Sequence, residues 1–166
     1  DEFRANLSQY FYVDSLIDYY LFGLASCGLD AFGKNQLYMT YDGQKWYATM
    51  YDMDSTWGLW WSGSRFVASD YARGQYQDFK DGEGNLLYIR LESLFKDDIE
   101  TRWQELRTGV LSVANIINHF ERFTDIAPPY LVEEDYADST GNGEFTEIPL
   151  TGENNIQQLR SYIVGR

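Results

Sequence analysis

Acidic and amide side chains flank a predicted β-hairpin, and their types and spacing could support phosphate chemistry. Asp30 lies five residues before Asn35, while Asp52 and Asp54 follow the hairpin. Because a hairpin returns the chain to its starting point, Asn35 and Asp52 are expected to lie close together although 17 residues separate them. Carboxylate and amide oxygens are the hard ligands that Mg²⁺ prefers. The pattern therefore predicts a magnesium site at the open end of the hairpin.

The hairpin itself is predicted from two runs of strand-forming residues, 37–41 and 45–50, separated by Asp42-Gly43. An Asp-Gly pair between such runs is a strong signal for a tight two-residue turn. A helix is expected before the hairpin, with Asp14 as its N-cap and Gly28 at its end. Its apolar face is formed by Leu16, Ile17, Tyr20, Leu21 and Leu24.

The rest of the chain reads as an irregular stretch, 51–84, followed by helices. Helical patterns begin near Asn85, at Asp97 or Asp98, and at Ser112. After a polar loop, a last helix is predicted to begin at Asn154 or Asn155. These elements predict an α+β fold that is mostly helical, with one small hairpin.

The amino-acid composition limits the classes of molecule that this chain can bind. The 166 residues include 26 acidic and 13 basic side chains, for a net charge of −13. Such a chain repels nucleic acids and anionic membrane surfaces, whereas ATP remains possible because Mg²⁺ brings compensating charge. One cysteine and one histidine exclude an internal disulfide and a zinc site. We expect no membrane span, since no apolar run reaches about 18 residues.

Protein kinases place a catalytic Asp five residues before a metal-binding Asn, then a hairpin, then a metal-binding Asp. The run 30–35, Asp-Ala-Phe-Gly-Lys-Asn, has that spacing, and Asp52 stands at the far end of the hairpin. Two departures separate this chain from ordinary kinases. Gly28-Leu29 precede Asp30 where those enzymes have His-Arg, and Met-Asp follows Asp52 where they have Phe-Gly.

The run 30–58, which ends in Tyr-Asp-Met-Asp-Ser-Thr-Trp-Gly, is similar to the core of the CotH (spore coat protein H) kinase family. Residues 12–20 and 112–117 also resemble that family, so the likeness extends from about residue 7 to 162. The resemblance implies an atypical, secretory-type protein kinase that uses ATP with Mg²⁺ or Mn²⁺. Its implied substrates are Ser or Thr residues of coat or extracellular proteins.

The resemblance also implies a role for each candidate residue. Asp30 would be the catalytic residue. Asp52 and Asn35 would bind the metal, with Asp54 as a supporting acid. Lys34, together with Asn35, would contact the bound nucleotide cofactor.

A kinase also needs an N-lobe, with a glycine-rich loop and a strand lysine to hold the nucleotide. Neither signal occurs in the 29 residues before Asp30. We therefore expect residues 1–166 to form a single domain equivalent to an atypical kinase C-lobe, with the N-lobe absent. Its partners would be ATP, a protein substrate and an upstream N-lobe of the same parent chain. By itself the chain is expected to bind ATP weakly and to show no autophosphorylation.

Two non-catalytic alternatives stay open: an extracellular assembly module and a glycan-binding module. Trp57, Trp60 and Trp61 could form a platform on which sugars stack. Large aromatic residues beside a catalytic loop more often support it by packing, so Trp57 is expected to pack against the hairpin. The resemblance places the protein outside a bacterial cell, on its surface, in a cellulosome-type assembly or in the spore coat.

Overall fold

The computed structural model describes residues 2–28, 31–53, 56–58, 85–128, 130, 131, 134 and 153–165. Within these ranges, six helices of eight residues or more accompany one antiparallel pair of strands. In chain order they are α1 (Glu2–Tyr10), α2 (Val13–Ser26), β1 (Gln36–Met39), β2 (Tyr47–Met50), α3 (Leu86–Leu94), α4 (Lys96–Thr108), α5 (Val113–Ile126) and α6 (Glu153–Gly165). The predicted α+β class, mostly helical with a small hairpin, is confirmed.

Helix α2 supports the hairpin and begins two residues earlier than the capping prediction. Tyr12 is the N-cap residue and provides no side-chain cap, while Asp14 lies in the first turn, so the prediction of Asp14 as N-cap was wrong. The start is set by tertiary contact, because the Tyr12 N–H donates to the carbonyl of Trp46 at 3.0 Å. At the other end, left-handed Cys27 and the Gly28 N–H, bonded to the Gly23 carbonyl at 2.9 Å, close the helix as a Schellman motif.

The hairpin pairs Gln36 with Met50 and Tyr38 with Ala48, and its strands are shorter than predicted. The expected two-residue turn is replaced by a longer connection, 40–46. Within it the Asp42 carboxylate accepts the N–H groups of Gln44 and Lys45 at 2.8 and 3.0 Å. The difference arises because local side-chain acceptors compete with strand pairing at a turn.

A first hydrophobic cluster joins α1, α2, the loop before β1, α3 and α4. Its most buried members include Leu16, Tyr19, Phe32, Tyr88 and Leu91. Helix α1 was not predicted from the sequence, and only its Leu7 is fully buried.

Side-chain caps confirm two of the predicted helix starts. The Asn85 side chain accepts the Leu87 N–H at 2.9 Å, and Ser112 accepts the Asn115 N–H at 3.4 Å. Asp97 and Asp98 were expected to cap α4 but lie inside its first turn, where their charge favours the helix dipole.

A second cluster packs α5 against α6. It comprises Cys27, Ile116, Leu159, Tyr162 and Ile163. Helix α6 begins at Glu153, one or two residues before the predicted start, which is within the usual spread of helix boundaries. None of the helices described here is long and apolar enough to cross a membrane.

Candidate functional site

The loop 31–35 runs from the end of α2 to β1, and a buried tyrosine holds its main chain. The Tyr19 hydroxyl lies 2.6 Å from the Ala31 carbonyl and 2.9 Å from the Asn35 carbonyl, and it donates its single proton between them. Burial raises the pKa of Tyr19 to about 12, so the hydroxyl remains a donor at neutral pH. The carbonyl groups at the two ends of the loop, Ala31 and Asn35, therefore share a fixed partner inside the protein.

The middle of this loop is held by packing. Phe32 is 1% exposed and its ring lies against Gly23 of α2, where an added Cβ would be only 2.7 Å from the ring. The Phe32 carbonyl accepts a 2.6 Å bond from the Gln36 amide, whose oxygen in turn accepts the Asn85 amide at 2.6 Å. Gly23, which weakens a helix in isolation, is thus required for the close approach of the loop.

Asn35 and Asp52 are brought together, as the hairpin geometry predicts. The buried Asn35 side chain donates from Nδ2 to the Asp52 backbone carbonyl at 3.1 Å. That bond uses the amide nitrogen, whereas the amide oxygen is the atom that a hard cation would take. The Asp52 side chain is exposed to solvent.

The chain leaves the hairpin through what we call the exit segment, residues 51–53 and 56–58. Asp52 has a left-handed backbone, with φ of 51°. Beyond it, Met53 packs on Gly28, and the Thr56 hydroxyl donates to the Met53 carbonyl at 2.7 Å. The Trp57 N–H then donates to the Ser26 carbonyl at the end of α2 at 2.6 Å. These contacts return the exit segment to the same helix that supports loop 31–35.

Trp57 packs inside the protein, as expected, but its aromatic partners lie on helices α2 and α5, where the hairpin was expected. Its ring lies 6.0 Å from that of Phe22 and 5.6 Å from that of Phe120, edge to face in both cases. The Trp57 carbonyl accepts a 3.4 Å bond from Gln158, which ties it to α6. The exit segment runs from the first hydrophobic cluster to the second. Trp57 therefore packs with the second cluster.

Not every predicted site residue has a described position. Asp30, Asp54, Trp60 and Trp61 lie outside the residues that the structure describes. Lys34 is exposed on loop 31–35. In the described ranges there is no group of three His, Cys, Asp or Glu side chains that could hold a metal. The described part of the site is therefore one amide, Asn35, and one carboxylate, Asp52.

The residues that shape this site include three that the sequence reading overlooked: Tyr19, Gln36 and Asn85. Tyr19 lies next to Tyr20 among the apolar residues of α2, and because a buried tyrosine hydroxyl usually finds a hydrogen-bond partner, it carried some signal. Gln36 and Asn85 carried none, because 49 residues separate them and their bond depends on the fold.

Comparison with known proteins identifies the family. The sequence model described as "CotH kinase protein" matches residues 1–166, the whole chain. No curated protein and no solved structure gives a match. Because the family model matches all of residues 1–166, the chain belongs to the CotH kinase family.

Proposed function

We propose that this chain carries the metal-binding and acceptor-binding half of a phosphoryl-transfer site in an atypical kinase C-lobe. The full-length protein would transfer the γ-phosphoryl group of ATP to a Ser or Thr hydroxyl of another protein. The observation that carries the proposal is the bond between the Asn35 amide and the Asp52 carbonyl. It holds together two residues that follow the order used by kinases, a metal-binding Asn before the hairpin and a metal-binding Asp after it. Membership of the CotH kinase family supports the proposal.

The donor set suits Mg²⁺ or Mn²⁺. Mg²⁺ retains several waters and is usually bound by one or two carboxylates together with substrate phosphates, so it does not need a closed protein cage. The exposed Asp52 carboxylate and the Asn35 amide oxygen supply two hard oxygen ligands. Asp54, two residues after Asp52 in the sequence, would add a second carboxylate.

Each residue has a defined role in this proposal. Asp52 and Asn35 hold the metal, and Asp30 orients or deprotonates the acceptor hydroxyl. Lys34 contacts a phosphate from the exposed side of loop 31–35. When bound, ATP would supply the phosphoryl group, and the metal would supply positive charge that neutralises the phosphate oxygens during transfer.

The nucleotide requires more than this half-site provides. With a net charge of −13 and Asp52 exposed, the chain repels ATP unless a cation is present. We propose that a glycine-rich loop and a lysine from an N-lobe of the parent protein hold the α- and β-phosphates. Coat or extracellular proteins of a bacterium are the proposed acceptors, which places the enzyme at the cell surface or in the spore coat.

The proposal is tested by incubating the full-length protein with γ-labelled ATP and Mg²⁺ or Mn²⁺, alone and with candidate protein acceptors. Asn tolerates the left-handed backbone, so Asp52→Asn should keep the fold. Because it removes the charge that would bind the metal, it should lower label incorporation about 100-fold or more. Asp125→Asn removes an equally exposed charge from α5 and should leave incorporation unchanged.

Three results would speak against the proposal. Incorporation that is equal in the two variants would remove Asp52 from the site. Absence of incorporation in the wild-type protein with every acceptor and metal would favour a non-catalytic assembly module. Affinity for cellulose or xylan that is lost in Trp60→Ala would favour the glycan-binding alternative.

A further inference from the structure

Tyr19 contacts the main chain of the proposed metal ligand Asn35 but is not itself a ligand. Its hydroxyl contacts the carbonyl groups at the two ends of loop 31–35, at Ala31 and Asn35. We infer that Tyr19 is a positioning residue, which fixes the main chain of Asn35 so that the Asn35 amide meets Asp52. This inference rests on the proposed function and adds to it the element that orders the metal ligands.

Water cannot easily replace the Tyr19 hydroxyl, because the residue is only 2% exposed. Its ring is stacked on Tyr88 with the centroids 5.5 Å apart, and Phe32 lies edge-on at 6.1 Å. A side chain confined in this way has one position for its hydroxyl. If the hydroxyl is removed, two carbonyl groups lose a donor that no solvent molecule can readily supply, and the loop must move to satisfy them.

Loss of the Tyr19 hydroxyl would reach Asp52 through one residue, Asn35. The Tyr19 hydroxyl binds the Asn35 carbonyl, and the Asn35 side chain binds the Asp52 carbonyl at 3.1 Å. Asp52 is exposed and left-handed, so its backbone conformation depends on the support it receives. Partners that orient metal ligands in this way commonly change metal affinity or activity by about 10–100-fold when they are mutated.

Two other residues make the inference testable. Tyr88 is fully buried in the same cluster and stacks on Tyr19, yet its hydroxyl makes no hydrogen bond to loop 31–35. Tyr88→Phe is therefore a matched control for the loss of a buried hydroxyl. Gln36 supplies a second side-chain bond to this loop, to the Phe32 carbonyl at 2.6 Å. Gln36→Met tests the same dependence from the opposite side of the loop.

The experiment is a Mn²⁺ titration of the full-length protein, with free Mn²⁺ followed by its electron paramagnetic resonance signal. Tyr19→Phe should raise the Mn²⁺ dissociation constant about 10-fold or more, and Tyr88→Phe should leave it unchanged. Saturating Mn²⁺ should restore phosphoryl transfer in Tyr19→Phe and should fail to restore it in Asp52→Asn. If Tyr19 had only a structural role, both tyrosine variants would have a lower melting temperature and would not differ in Mn²⁺ affinity.

The outcomes separate the two proposals. If Asp52→Asn weakens Mn²⁺ binding while Tyr19→Phe and Gln36→Met bind as wild type, the positioning role is wrong and the proposed function stands. Equal weakening in Tyr19→Phe and Tyr88→Phe would also overturn the positioning role, because the effect would then come from the core. If Asp52→Asn binds Mn²⁺ normally, the metal site itself is wrong. Should Tyr19→Phe fail to fold, Gln36→Met alone decides.

Discussion

The two ends of the hairpin are held in different ways. Loop 31–35, which enters the hairpin, is bound through its main-chain carbonyls by Tyr19 and Gln36. The exit segment instead relies on unusual backbone conformations, since Asp52, Trp57 and Gly58 all have positive φ angles. One end is ordered by a buried hydrogen-bond network and the other by local backbone geometry with a few distant contacts.

This difference assigns distinct tasks to the two ends. A loop with satisfied, buried carbonyls resists movement, because any shift would leave a polar group without a partner. A segment with left-handed residues stores strain that its neighbours must offset. The entry therefore fixes the position of Asn35, and the exit presents the Asp52 carboxylate to solvent. The following variants test this contrast, beginning with the largest expected effect.

Gly58→Ala should be the most damaging change to the exit segment. Gly58 has φ of 88°, and an added Cβ would stand 2.3 Å from a ring carbon of Tyr162. Overpacking and backbone strain together should lower the free energy of unfolding by about 2–5 kcal/mol, measured by urea denaturation. Gly33→Ala is the control, because nothing lies within 4 Å of its Cβ, and it should cause no loss. Equal stability of the two variants would contradict the structure.

Gly23→Ala tests the entry side with a smaller effect. The new methyl group would meet the Phe32 ring at 2.7 Å and cost about 1–3 kcal/mol, while better helix propensity would return about 1 kcal/mol. We expect a net loss of up to about 2 kcal/mol in urea denaturation. Adding Phe32→Leu should remove the clash, so the Gly23→Ala penalty should shrink in the double variant. An unchanged penalty would show that the ring is not the obstacle.

Asp52→Gly should separate stability from metal binding. Glycine adopts the left-handed conformation without strain, although it also increases the freedom of the unfolded chain. The free energy of unfolding should therefore stay equal or rise by up to about 1 kcal/mol, while Mn²⁺ affinity falls with the loss of the carboxylate. Denaturation and Mn²⁺ titration of the same sample measure the two effects. A clear loss of stability would mean that the aspartate side chain supports the exit segment.

The smallest effect concerns the connection at the far end of the hairpin. Hydrogen bonds from the Lys45 and Gln44 N–H groups lower the pKa of Asp42. A lowered pKa means that these bonds are intact above the ordinary carboxyl pKa and are lost as the pH falls through the folded value. Amide exchange of Gln44 and Lys45, corrected for intrinsic pH dependence, should become faster at acidic pH. Asp42→Ala should show the faster exchange already at neutral pH, and pH-independent protection would count against the assignment.

The sequence was informative where the structure depends on neighbouring residues. The helix starts at Asn85 and Ser112 were recognised because an N-cap bond reaches only two or three residues along the chain. The approach of Asn35 to Asp52 was predictable for a similar reason, since hairpin closure is local. Asp14 was misassigned because the start of α2 is set by a bond to Trp46, more than 30 residues away.

The support of the site was not predictable to the same degree. That the Tyr19 hydroxyl would bind the Asn35 carbonyl depends on how α2 and loop 31–35 pack, which periodicity does not encode. Trp57 was expected on the hairpin because the two are close in sequence. Its actual neighbours, Phe22 and Phe120, lie on two helices that the sequence alone does not bring together.

The bond between Trp57 and Gln158 has a consequence for how the protein acquires its structure. It joins residues 101 positions apart, and the ring of Tyr162 closes over Gly58 from the same helix. Contacts of such long range form late in folding, because closing a long loop costs entropy before the contact is gained. During synthesis, loop 31–35 can settle on α2 early, whereas the exit segment lacks its last support until α6 has left the ribosome. The Asp52 side of the site is therefore completed only after α6 has been made.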